Sequence, residues 1–167
     1  MSSLNISIKK NKNLYLASPR GFCAGVERAI KIVEQALKLY GKPVYVKHEI
    51  VHNKHVVKRL ANAGAIFVED LNSVPKNANI IFSAHGVAKN VSESAFNNKL
   101  TVFDATCPLV TKVHLEALKL HNNGYHIFLI GHDGHPEIEG TRGQVPEESI
   151  TLIQTINEAE NVKAPSN

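Results

Sequence analysis

The chain predicts an α/β fold of small parallel-sheet βαβ units, and two patterns carry that prediction. Short runs of aliphatic and β-branched residues alternate with longer stretches whose apolar residues recur at helical spacing. Most short runs then end in a polar loop that opens the next helix, the order of a parallel sheet covered by helices.

Leu14-Tyr15-Leu16-Ala17 is the first apolar run, expected as a strand, and Ser18-Pro19-Arg20-Gly21 is its turn. From Ala24 to Tyr40, Val26, Ala29, Ile30, Val33, Ala36, Leu37 and Tyr40 mark a helix closed by Gly41. Val44 to Val46 is strand-like, followed by a polar turn from His48 to Asn53. Val56, Val57, Leu60 and Ala63 form a second helical stripe that stops at Gly64. Strands are expected at Ala65 to Val68, Asn79 to Ser83, Thr101 to Phe103, His126 to Ile130 and Ile150 to Ile153. Helices are expected around Asn90 to Asn98, from Val110 to Leu120, and from Ile156 to Glu160. Gly131 to Gly143, dense in small and polar residues, reads as a functional loop.

Composition narrows the classes. At 43% hydrophobic residues and without tryptophan, the chain needs an aliphatic core. Net charge is +4, with basic residues interleaved among acidic ones, so no block or basic–aromatic alternation marks a nucleic-acid surface. A mild positive excess suits a small anionic substrate. Residues Met1 to Lys12 are polar and Lys-rich, without the apolar core of a signal peptide. No stretch approaches the roughly 18–20 apolar residues of a membrane span. The expectation is a cytoplasmic protein with no membrane partner.

Ligands of open parallel sheets bind outside the carboxyl ends of the strands. Cys23, His52, His85, Cys107, and the pair His135 and Glu137 all fall in such loops. His55, His114, His121 and His126 fall inside elements and read as structural or surface residues. Each cysteine stands at the start of a helix, where the macrodipole favours a thiolate. A cysteine so placed is a small buried residue, a nucleophile or a metal ligand. The pairing of two equivalent positions favours the ligand, for zinc or for an iron–sulfur cluster. Local CxxC pairs typical of structural zinc are absent, which leaves a zinc hydrolase as the weakest alternative. Imidazoles beside glycine amides at helix starts suit phosphate oxygens. Glu137 would hold a transferable proton if burial raised its pKa.

Five motifs add a specific resemblance. Pro-Arg-Gly-Phe-Cys-Ala-Gly-Val, Glu-Ile-Val-His-Asn, Ser-Ala-His-Gly-Val, Asp-Ala-Thr-Cys-Pro-Leu-Val and Gly-His-Asp-Gly-His-Pro-Glu-Ile-Glu-Gly-Thr occur in that order over residues 19–141. Together they resemble the 4-hydroxy-3-methylbut-2-enyl diphosphate reductase (LytB) family. The resemblance implies a trefoil of three small α/β domains around a [4Fe-4S] cluster held by one cysteine from each. It also implies an allylic diphosphate substrate, whose hydroxyl leaves as water after uptake of two electrons and two protons. Isopentenyl and dimethylallyl diphosphate would be the products, and a ferredoxin- or flavodoxin-type protein the electron donor. By motif, Cys23 and Cys107 match cluster ligands, and His52, His85 and His135 match substrate-binding residues. Glu137 matches the acid of the proton relay.

The same resemblance places a first domain at 13–106, a second at 107–167 that reads as incomplete, and a third outside this sequence. The third cluster cysteine has no counterpart here, since the chain carries two. A second chain supplying the missing half is one expectation. A non-catalytic diphosphate-binding remnant without the cluster is the alternative function.

Overall fold

The computed structural model describes residues 14–163. The polar start read at Met1 to Lys12, and the last residues of the 107–167 segment, lie outside that range. Twelve elements run in the order α1 (Ala24–Tyr40), β1 (Val44–Lys47), α2 (Lys54–Ala63), β2 (Ala65–Val68), β3 (Asn79–Phe82), α3 (Lys89–Asn97), β4 (Thr101–Asp104), α4 (Pro108–Asn122), β5 (Ile127–Ile130), α5 (Pro136–Arg142), β6 (Ile150–Ile153) and α6 (Ile156–Asn161). Single 3-10 turns at Leu71–Ser73 and Glu147–Ser149 lead toward β3 and β6.

Four strands form one sheet in the order β2-β1-β3-β4, and β5 pairs with β6 in a second. Every pairing is parallel. In the first sheet Val46 faces Phe67 on one side and Ile81 on the other, and Ile81 in turn faces Phe103. This register leaves the carboxyl ends of all four strands at one edge.

The central strands β1 and β3 are buried on both faces, as a parallel sheet between helices requires. Val44, Val46 and Ile81 pack with Ala29, Ile30, Val33 and Leu60 beneath α1 and α2. On the opposite face Ile80 and Phe82 meet Leu71, Val74, Ala95 and Leu100. A smaller core joins the second sheet to α4 through Ala117, Val145 and Ile150. Leu60, Ile80, Ile81 and Ile50 are fully enclosed, which confirms the aliphatic core.

Helix ends follow their sequence signals. Asn53 caps α2, its side-chain oxygen accepting from the amides of His55 and Val56 at 3.1 Å each. Gly64 ends that helix at φ 113°, in left-handed backbone that a β-carbon would strain. Two expectations change. Leu14 to Ala17 forms no strand, and Leu14, Tyr15 and Leu16 are exposed, so apolar character alone did not make a strand there. The polar stretch read as a loop contains α5, because Pro136 can open a helix and His135 caps it.

Candidate active site

Main-chain bonds bring the loops together at the carboxyl edge. The amide of Ala84 donates to the carbonyl of Ile50 at 3.2 Å, and that of Cys107 to the carbonyl of Ala84 at 2.9 Å. The loop after β1, the loop after β3 and the start of α4 are thus stitched in series. Arg28, from α1, donates to the carbonyls of Thr106 and Asp104 at 3.1 and 3.2 Å. Asp104 turns its carboxylate back onto the amide of Thr106 at 2.8 Å. Helices α1 and α4 therefore begin close together.

Their N-cap residues are Cys23 and Cys107, and both thiols are free. A β-carbon added at Gly25 would lie 2.8 Å from the sulfur of Cys107 and 3.9 Å from that of Cys23. Both sulfurs thus border the space that glycine leaves open. The expectation that each cysteine stands at a helix start holds in the structure.

Beside them the imidazoles cluster. Ring centroids of His52 and His85 are 4.2 Å apart, those of His52 and His135 5.2 Å, and those of His85 and His135 6.1 Å. The amide of Glu137 donates to Nδ1 of His135 at 3.2 Å, as the helix cap. That bond occupies the Nδ1 lone pair, so neutral His135 carries its proton on Nε2. Nε2 of His135 lies 3.3 Å from Nε2 of His52 and donates to it. Nδ1 of His85 lies 3.4 Å from Glu137 Oε1, a long contact. Burial holds the His85 imidazole below its usual range; Glu137 opposes that, while His52 and His135 add to it. Its Nε2 is buried without a hydrogen-bond partner. A bound anion would supply the negative charge that this cluster of imidazoles lacks.

A cavity of about 500 Å³ is lined by Cys23, Cys107, His52, His85 and Glu137, with Phe22, Val26, Leu109 and Val110 as apolar walls. His135 stands outside that lining, and reaches the group through His52. A larger cavity, of about 610 Å³, opens between α3, β4 and α4 but contains neither cysteine nor Glu137. All six residues singled out from the sequence gather at the first cavity or in contact with its lining. Glu137 differs in one respect. Its side chain is 48% exposed, so the burial that the sequence reading required is not met in this chain.

Three supporting residues escaped the sequence reading. Arg28 and Asn53 fix the loops, and only the helix-start position of Asn53 carried a local signal. His114 was read as structural or surface, and it is buried against the His85 loop, a contact that only the fold creates. Lys47, His48 and Glu69 form a separate polar cluster. Nζ of Lys47 is 2.7 Å from Nε2 of His48, and Glu69 contacts the other ring nitrogen of His48.

The donor set fits thiolate chemistry in part. Two free sulfurs flank a glycine that leaves room, at the N-termini of two long helices. Among the described residues, no group of three or more His, Cys, Asp or Glu side chains converges to hold a metal ion.

The sequence matches the LytB protein family over residues 14–167. The chain belongs to the LytB family. It is 59% identical over 145 residues to a 4-hydroxy-3-methylbut-2-enyl diphosphate reductase of Cereibacter sphaeroides (strain ATCC 17025 / ATH 2.4.3), covering 87% of this chain and 46% of that protein. It is 57% identical over 154 residues to the reductase of the same name from Hyphomonas neptunium, covering 92% and 49%. The fold is similar to the solved E-1-hydroxy-2-methyl-but-2-enyl-4-diphosphate reductase of Plasmodium falciparum, with TM-score 0.89, 46% identity, and coverage of 94% of this chain and 49% of that one. The chain thus spans about half the length of the LytB relatives it matches. No helix among the described residues is long and apolar enough to cross a membrane.

Proposed function

We propose that this LytB chain carries the substrate-binding half of a 4-hydroxy-3-methylbut-2-enyl diphosphate reductase of non-mevalonate isoprenoid biosynthesis. The observation that carries the reading is the meeting of two thiols at helix N-termini, two imidazoles and one carboxyl group around a single cavity, with the His135 imidazole in contact with His52 beside it. Cys23 and Cys107 would hold a [4Fe-4S] cluster together with a third thiolate from outside residues 14–163. When bound, the cluster supplies electrons and a Lewis-acidic iron.

The chain's own residues do the rest. His52, His85 and His135 bind the diphosphate through ring N–H groups. His135 offers its Nε2–H, because the helix cap keeps its other nitrogen occupied. Glu137, beside His85, serves as the proton-relay carboxyl on the substrate side of the cavity. Leu109, Val110 and Val26 exclude water from the allyl portion. A ferredoxin- or flavodoxin-type donor in the cytoplasm supplies the reducing equivalents. The domain reading accompanies this proposal: a first unit through residue 106, a second from residue 107, and a third supplied by further polypeptide.

Anaerobic reconstitution tests it. About four iron and four acid-labile sulfide per site, with turnover of the allylic diphosphate by reduced donor, would support the reductase. A second reading, a diphosphate-binding module without cluster chemistry, draws on three imidazoles converging where only two thiols do. Colourless protein that still binds inorganic diphosphate after reconstitution with the remaining half of the reductase supplied would decide for that module.

A further inference from the structure

His114 lies on α4 two turns beyond Cys107, and no motif discussed above includes it. It is only 9% exposed, and its Nε2 is buried without a hydrogen-bond partner. Two glycines explain how it fits. A β-carbon at Gly86 would lie 2.7 Å from Cε1 of His114, and one at Gly140 would lie 3.3 Å from Nε2. The edge of the ring therefore packs against both the backbone that follows His85 and the turn of α5 that follows Glu137. A β-carbon at Gly140 would also lie 3.5 Å from the carbonyl carbon of Gly86, so the two segments run close together beside the ring. Gln144 closes the seam by donating to the carbonyls of Val87 and Gly140 at 2.9 and 2.7 Å.

An imidazole is a poor choice for mere filling. A buried nitrogen without a partner is costly, and an aliphatic side chain would fill the same space without that cost. Burial keeps the ring neutral, against the pull of the Asp104 and Glu137 carboxylates. What a flat, rigid ring provides is a fixed thickness between two backbones.

We propose that His114 is a positioning residue, whose buried ring spaces the His85–Gly86 loop from α5 and so sets His85 against Glu137 and His135. The inference rests on the diphosphate reading of those residues. It differs from a packing role in one way: changing the spacer alters the site without loss of stability.

Two variants separate the roles. Gly140→Ala adds a methyl group that must push His114 by a few tenths of an ångström, while alanine favours the helix. His114→Leu removes the orphan nitrogen and keeps the space apolar. Both are compared with the unaltered chain by inorganic diphosphate titration, by ring 15N shifts of His85 and His135, and by melting temperature. Each variant should melt no lower than the parent, shift the His85 ring signals, and bind diphosphate about tenfold more weakly, the loss of one charge-assisted hydrogen bond. Unchanged ring shifts and unchanged binding in both variants would overturn the proposal. If the parent itself binds no diphosphate, the substrate reading fails. The ring shifts then still decide whether His114 sets the geometry.

Discussion

Gly25→Ala is the sharpest probe of the thiol pair. Gly25 is the second residue of α1 and has no left-handed backbone, so alanine fits the main chain and gains at most about 1 kcal/mol of helix propensity. The new methyl carbon would stand 2.8 Å from the Cys107 sulfur. Ordinary contact is about 3.5–4.0 Å, so the sulfur must retreat by roughly 1 Å. Overpacking costs about 1–3 kcal/mol in a tight core, and less here because Cys107 is only half-buried and can rotate. The two effects nearly cancel, so the melting temperature should stay within about 4 °C of the parent. The thiols, however, no longer share one space. Cadmium alone, followed by its thiolate absorbance under anaerobic conditions, reads the pair directly. Affinity should fall about 10–100-fold, the usual effect of disturbing the support of a metal ligand. Equal affinity and equal absorbance in Gly25→Ala and parent would show that the glycine does not set the distance between the sulfurs.

Two further outcomes are expected. His48, His85 and His114 are each held below the usual imidazole range, with burial the largest cause in each. The unfolded chain therefore takes up protons first as pH falls, so the contribution of these three rings is full above about pH 6.5 and declines below it; urea midpoints between pH 8 and pH 5 check this, and a midpoint that does not fall toward pH 5 refutes it. Asn53→Ala should cost about 1 kcal/mol by removing the α2 cap, seen as a lower midpoint that Asn53→Asp restores.

Much of this was legible in the chain itself, for physical reasons that differ by element. The strands at Val44 and Asn79 are short aliphatic runs buried on both faces, and their composition announces them. Cys23 and Cys107 could be placed at helix starts because the stripes from Val26 and Val110 begin just after them. Helix α5 was hidden by its shortness and by Gly140, whose propensity opposes a helix that Pro136 and the His135 cap nonetheless begin. Leu14 to Ala17 misled in the other direction: a strand needs a neighbour, and periodicity says nothing about neighbours. His114 was out of reach for the same reason. Its meaning lies in Gly86 and Gly140, 28 residues before it and 26 after it, and a local window contains neither.

The stitching at the carboxyl edge bears on how variants of this protein can be read. Ile50, Ala84 and Cys107 hold their loops by peptide groups, which every substitution except proline preserves. This stitching is thus indifferent to which side chains the cavity displays, while Arg28, Asn53 and Asp104 secure the loops by their own side chains. Exchanging His52, exposed at the rim, or Cys107 for serine alters chemistry while leaving the peptide scaffold standing. Inherited changes in such positions would silence or redirect the site without unfolding it, so a foldable chain is no guarantee of a working one.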